Sequence, residues 1–199
     1  PALTLPAAGE DEIDSVLLRA GIPPHGRYLC FALRNWKGFE EKAPLLGQAA
    51  RYAYETYGLT PVFAAVEKYQ DPSAGRLAAA GLDIPHYFLD DAGSAGTIIG
   101  ALSRMQAVVS MRLHALIFAA GQGIPLAGIV YDPKVSAFLR YIGQENFADL
   151  EALDAGTLRH MIDLAAGAPV SPEAQAAAVE KLRQMEHGNV ATARRLLGK

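Results

Sequence analysis

Five short apolar runs recur along the chain, at residues 28–33, 60–66, 86–89, 107–110 and 126–130, with helical segments between them. Runs of this length without polar alternation suit strands buried on both faces. Strand and helix taken in turn require crossover connections, so the fold class is α/β: a parallel sheet covered by helices on both sides. The helical segments carry their own punctuation. Ile13, Val16, Leu17 and Ala20 share one face of a helix that Gly21 stops, and Gly58 ends a second over 40–57. Asp71-Pro72 reads as an N-cap and first-turn pair, opening a helix that Gly81 ends. Further helices are predicted over 94–104, over 114–120 before Gly121 and Gly123, and from Asp132-Pro133 to Gly143. From about Phe147 onward the pattern is wholly helical. Residues 169–171 read as a loop, and Ser171-Pro172-Glu173 caps a last alanine-rich helix.

A length of 199 residues fits one large domain, here with a helical tail over about 147–199. Hydrophobic residues at 51% and charged residues at 20% provide for a core and exclude intrinsic disorder. Eighteen Lys and Arg against 21 Asp and Glu leave a formal charge of −3, which excludes a binder of nucleic-acid backbone and confines any anion site to a local cluster. The single cysteine, Cys30, can form no internal disulfide, which points to a reducing, cytoplasmic setting, with Cys30 as a small core residue. No apolar run reaches the roughly 18 residues of a membrane helix. The chain starts at Pro1 without Met or a secretory signal, and the expectation is a fragment of a longer protein.

In open α/β sheets, ligands bind beyond the carboxyl ends of the strands. That rule selects Arg34, Asn35 and Trp36 after the first strand, Ser110 to His114 after the fourth, and Tyr131 to Lys134 after the fifth. Arg112 and His114 lie two residues apart where a buried strand becomes a helix, so that backbone N–H groups converge with a cation and an imidazole on one spot suited to an anion. The alternative is that Arg112 pairs with a carboxylate and His114 serves a buried backbone group. Arg34 is a second cation at the same edge, its planar fork suited to carboxylate or phosphate, or a solvated strand-end residue. Trp36 walls a pocket, stacks on a sugar or packs its own loop. Asp132 is explained by capping and Lys134 by solvation, although both stand near the cleft. Asp90-Asp91 reads as a turn and cap rather than a metal site, and neither a P-loop nor Gly-x-Gly-x-x-Gly is present.

Three segments resemble the polysaccharide pyruvyl transferase family, in particular the bacterial branch that pyruvylates cell-wall polymers for surface-layer anchoring. Leu3-Thr4-Leu5-Pro6 is similar to the hinge strand that enters the family's C-terminal domain. Phe31-Ala32-Leu33-Arg34-Asn35-Trp36-Lys37 resembles its strand ending in Arg-Pro-Trp, with Asn35 where proline is usual. Val108-Val109-Ser110-Met111-Arg112-Leu113-His114-Ala115, followed by Gly123-Ile124-Pro125 and Tyr131-Asp132-Pro133-Lys134-Val135, resembles its most specific signature.

The resemblance implies a Rossmann-like domain, the C-terminal half of a GT-B-type enzyme whose N-terminal half is a missing partner. It implies phosphoenolpyruvate as donor, a free or lipid-linked saccharide as acceptor, a ketal as product, and neither metal nor cofactor. Arg34, Arg112, the Leu113 backbone and His114 would hold the donor, with Trp36, Asp132 and Lys134 as further substrate contacts. Imidazole titrates near neutrality as a residue type, so His114 is the candidate acid–base catalyst. Two other classes stay open: the nucleotide-sugar half of a glycosyltransferase or epimerase, and a non-catalytic anion-binding or interaction module.

Overall fold

The computed structural model describes Leu3 and residues 5–167, with isolated positions between 177 and 188. Six strands, β1 (Tyr28–Ala32), β2 (Thr60–Ala64), β3 (Tyr87–Leu89), β4 (Ala107–Ser110), β5 (Leu126–Val130) and β6 (Phe147–Asp149), form one sheet in the order β3-β2-β1-β4-β5-β6. Every pairing is parallel. The helices among the described residues are α1 (Glu10–Arg19), α2 (Phe39–Tyr57), α3 (Asp71–Ala78), α4 (Ala95–Ser103), α5 (Leu113–Gly121), α6 (Pro133–Tyr141) and α7 (Ala155–Ala166).

Alternate residues of each strand feed two separate cores. Cys30, Ala32, Val62, Val108 and Val130 pack with α1, α4, α5 and α6 on one face. Leu29, Phe31, Leu33, Phe63, Val109 and Ile129 pack with α2, α3 and α7 on the other. Every residue of β1, β4 and β5 is buried, as their unalternated apolar runs require. From β1 the chain works outward through β2 to β3, then returns beside β1 as β4 and works outward on the other side. Right-handed crossovers in opposite directions place their helices on opposite faces of the sheet. The loops leaving β1 and β4 therefore diverge, and the crevice between them is the topological switch point where such sheets bind ligands.

Four sequence expectations meet a different structure or fall outside it. The chain after Phe147 is not wholly helical, because Phe147–Asp149 adds a sixth strand to the edge of the sheet. Buried Asn146 secures that edge by donating from Nδ2 to the carbonyls of Leu126 at 3.0 Å and Met161 at 2.9 Å. Asp71 is not an N-cap; it is the first residue of α3, after Gln70. Of the segment 3–6 read as a hinge strand, Leu3, Leu5 and Pro6 are in no strand and residue 4 lies outside the described residues; beyond it the Ala8 N–H donates to the Gly96 carbonyl at 2.9 Å. The loop at 169–171 and the helix predicted after Ser171 lie outside the described residues.

One helix contact depends on the lack of a side chain. A Cβ on Gly47 of α2 would stand 2.5 Å from the Ala78 carbonyl oxygen of α3, and backbone cannot swing away as a flexible side chain can. Gly47→Ala gains up to about 1 kcal/mol in helix propensity, but forcing two packed helices apart costs about 1–3 kcal/mol. The expected result in urea unfolding is a net loss of up to about 2 kcal/mol.

Candidate functional site

Ala32 of β1 stands opposite Ser110 of β4, and each of Arg34 and Arg112 follows two residues later, so the two cations leave adjacent strands at one level of the crevice. Ser110 shapes the turn between them. Its buried hydroxyl lies 3.1 Å from the Ala32 carbonyl and 3.1 Å from the Arg112 carbonyl, and accepts from the Arg112 N–H at 2.9 Å. Arg112 is the extended N-cap residue of α5 and makes no side-chain cap, so the first-turn N–H groups of Leu113 and His114 remain open toward the crevice.

Asp71 fixes the Arg112 side chain from behind. Its carboxylate is fully buried and lies 3.1 Å from Arg112 Nε, while only 13% of the arginine side chain is exposed. The same oxygen accepts from the N–H groups of Val66 at 3.1 Å and Glu67 at 2.8 Å. Burial is the largest influence on Asp71 and raises its pKa above the ordinary value against the opposing pull of those N–H groups and of Arg112. Arg112 thus pairs with a carboxylate along one edge of its guanidinium, as one of its two readings expects, and its two terminal nitrogens face no bonding partner among the described residues.

His114 is exposed on the first turn of α5 and leans on Phe118, the ring centroids 6.0 Å apart. It lines a cavity of about 290 Å³ whose walls include Val66, Lys68, Asp91, Gly93 and Ser94. Lys68 Nζ and Asp91 pair at 3.3 Å across that cavity, and the Gly93 N–H donates to Asp91 at 2.8 Å, which makes the turn expected of Asp91.

Arg34 takes the other side. Its guanidinium lies over the rings of Trp36 at 5.1 Å and Tyr131 at 5.6 Å, and its Nη1 donates to the Tyr131 hydroxyl at 3.2 Å. Trp36 and Tyr131 are themselves in contact, with ring centroids 4.9 Å apart. They border a second cavity of about 370 Å³ that also meets Lys37, Asp132, Asp149 and Glu151. Asp132 caps α6 by accepting from the Lys134 N–H at 3.0 Å and pairs with Lys134 Nζ at 3.3 Å. The first of these contacts is the main cause that holds its carboxyl below the usual range. The structure therefore brings Arg112, Leu113 and His114 together, sets Arg34 beside Trp36 and Tyr131, and engages Asp132 and Lys134 chiefly with each other.

The family model for polysaccharide pyruvyl transferase matches residues 1–133. The chain belongs to that family. The match takes in Arg34, Trp36, Asp71, Arg112, Leu113, His114 and Asp132, and stops just short of Lys134. No curated protein matches the sequence. Among solved structures, E. coli ADP-heptose lps heptosyltransferase II is similar with a TM-score of 0.57 and 14% identity over 78% of this chain. The chain spans 51% of that protein's length, and the likeness is one of fold, that of a GT-B domain.

Sequence reasoning missed two parts of this candidate site. Asp71, taken for a cap, is the buried partner of Arg112, 41 positions away, and no local pattern reveals such a pair. Asp149 and Glu151 enter the second cavity only because β6 exists. Cys30 is the core residue expected, its thiol pushed up to about 12 by burial. Among the described residues no three His, Cys, Asp or Glu side chains gather as metal ligands, and no helix is long and apolar enough to cross a membrane.

Proposed function

We propose that this domain binds phosphoenolpyruvate for a pyruvyl transferase that installs a pyruvate ketal on a cell-wall or exopolysaccharide sugar, in the surface-layer anchoring branch of the family. The observation that carries the proposal is the Arg112-Leu113-His114 turn, where a guanidinium edge oriented by Asp71 meets the open N–H groups of α5. Phosphoenolpyruvate places a carboxylate and a phosphate on one small frame. A helix N-terminus with one arginine suits the first anionic group, and Arg34, on the adjacent strand, suits the second.

In the reaction, the enol methylene takes a proton and the adjacent carbon becomes oxocarbenium-like. A sugar hydroxyl adds to that carbon and loses its proton; a second hydroxyl then closes the ketal as the bond from carbon to the phosphate oxygen breaks, the phosphate leaving with the electron pair and taking up the proton that this hydroxyl gives up. In this reading His114, exposed at the head of α5, gives the first proton or holds the departing phosphate. The chain acts in the cytoplasm as one wall of a two-domain cleft. Its partner half supplies much of the acceptor site, and the domain alone transfers no pyruvyl group.

A thermal-shift titration tests this. Phosphoenolpyruvate at 100 times its dissociation constant is expected to stabilise the chain by about 2.7 kcal/mol, while uridine diphosphate leaves it unchanged. Stabilisation by uridine diphosphate alone would assign the domain to nucleotide sugars, and a response to neither would leave an interaction module.

A further inference from the structure

The cavity beside Trp36 carries a different chemistry from the one beside His114. Its aromatic wall is Trp36, 42% exposed, in contact with Tyr131. Its polar rim holds three carboxylates, Asp132, Asp149 and Glu151, against one cation, Lys37. Asp132 is taken up by Lys134, but among the described residues nothing bonds the carboxylates of Asp149 and Glu151. Free carboxylates in a cavity repel phosphate and carboxylate ligands and accept hydrogen bonds from hydroxyl groups. A cationic ligand would ordinarily suit two adjacent aromatic rings. Here the Arg34 guanidinium already lies over both, at 5.1 and 5.6 Å. Anions are repelled and the ring faces already hold a cation, whereas a neutral ligand with an apolar face and several hydroxyls can use the exposed part of Trp36 and the two free carboxylates together.

We infer that this cavity is a subsite for a neutral pyranose ring, which stacks its C–H face on Trp36 and donates hydroxyl hydrogen bonds to Asp149 and Glu151. At about 370 Å³ the cavity lies at the small end of the range found for ligand pockets, enough for one or two sugar units and short of a long polymer. In identifying the sugar as part of the acceptor, the inference rests on the transferase reading above. The binding itself does not, because nothing in the cavity requires phosphoenolpyruvate.

Trp36 is the only tryptophan, so tryptophan emission from the unmodified chain arises at the wall of this cavity. The chain would be titrated with neutral methyl glycosides and trisaccharides of glucose, galactose, mannose and N-acetylglucosamine. At least one is expected to produce a saturable change in Trp36 emission. In Asp149→Asn/Glu151→Gln that sugar is expected to bind at least tenfold more weakly, with the melting temperature close to that of the parent, because both side chains are exposed. Two outcomes would overturn the inference: no saccharide moves the emission, whatever phosphate or uridine diphosphate does through Arg34, or the double variant binds sugar unchanged. Phosphoenolpyruvate stabilisation is read separately on the same chain. A silent sugar titration beside a positive phosphoenolpyruvate shift defeats the subsite alone, and the reverse defeats the donor assignment alone.

Discussion

Replacing Arg112 with alanine is expected to lower the unfolding free energy by about 3–5 kcal/mol at neutral pH, because it strands the Asp71 carboxylate in the interior without its counter-charge. Asp71 is 2% exposed, and two backbone N–H groups are its remaining partners. The effect carries a pH signature. Burial already raises Asp71 above its ordinary value near 3.9, so the folded chain holds that proton more tightly than the unfolded chain does. Stability from this group is therefore fully present below about pH 4 and is lost as pH rises through the folded value. Removing Arg112 raises the folded value further and extends the loss over a wider span of pH. Denaturant unfolding should show the variant closest to the parent in acid and furthest from it at neutrality. An equal deficit at both would mean that the ion pair is not the cause.

The same substitution separates support from binding. Asp71→Asn in the Arg112→Ala background removes the stranded charge and is expected to recover part of the lost stability. It cannot restore the guanidinium edge that faces the crevice. Stabilisation by phosphoenolpyruvate should be absent in both variants, including the one that has recovered its fold. A double variant that regained the ligand response would show that Arg112 acts only through Asp71.

What the chain discloses before folding depends on the range of each interaction. Strands β1, β4 and β5 were legible because burial on both faces leaves an unbroken apolar run. β6 was not, because Phe147–Asp149 is an edge strand of three residues, only partly buried and ending in a charge, which leaves no apolar run to read. The Arg112-Leu113-His114 turn was legible as a place, since a buried strand followed by a helix suffices to create it. Its partner was not: Asp-Pro before a helix is locally an N-cap, and only the pairing of β2 with β1 and of β1 with β4 carries Asp71 to Arg112. Arg34 and Tyr131 likewise meet across 97 positions. Their contact moves Arg34 from a simple anion clamp to the boundary between two cavities of different chemistry.

Phe31→Ala is the second large effect expected, a loss of about 3–5 kcal/mol from a side chain with no exposure at all. The Phe31 ring stacks on Phe63 at 5.4 Å, and Phe63 in turn stacks on Phe88 at 5.6 Å, so one truncation opens a row that runs across β1, β2 and β3. A domain with a typical 5–15 kcal/mol of stability can survive that loss and still be assayed. Phe31→Leu keeps most of the volume and is expected to cost less than about 1.5 kcal/mol in the same urea titration. The functional consequence follows from position. Ala32, the next residue, meets the Ser110 hydroxyl and accepts from the Met111 N–H at 3.0 Å, and those contacts set the level at which Arg34 and Arg112 leave the sheet. Relaxation of β1 into the cavity would move Arg34 relative to Arg112. Donor affinity should therefore fall in Phe31→Ala and hold in Phe31→Leu, although Phe31 lies in the core and touches no ligand. Equal affinity in the two variants would mean that the crevice is set by the β4 turn alone.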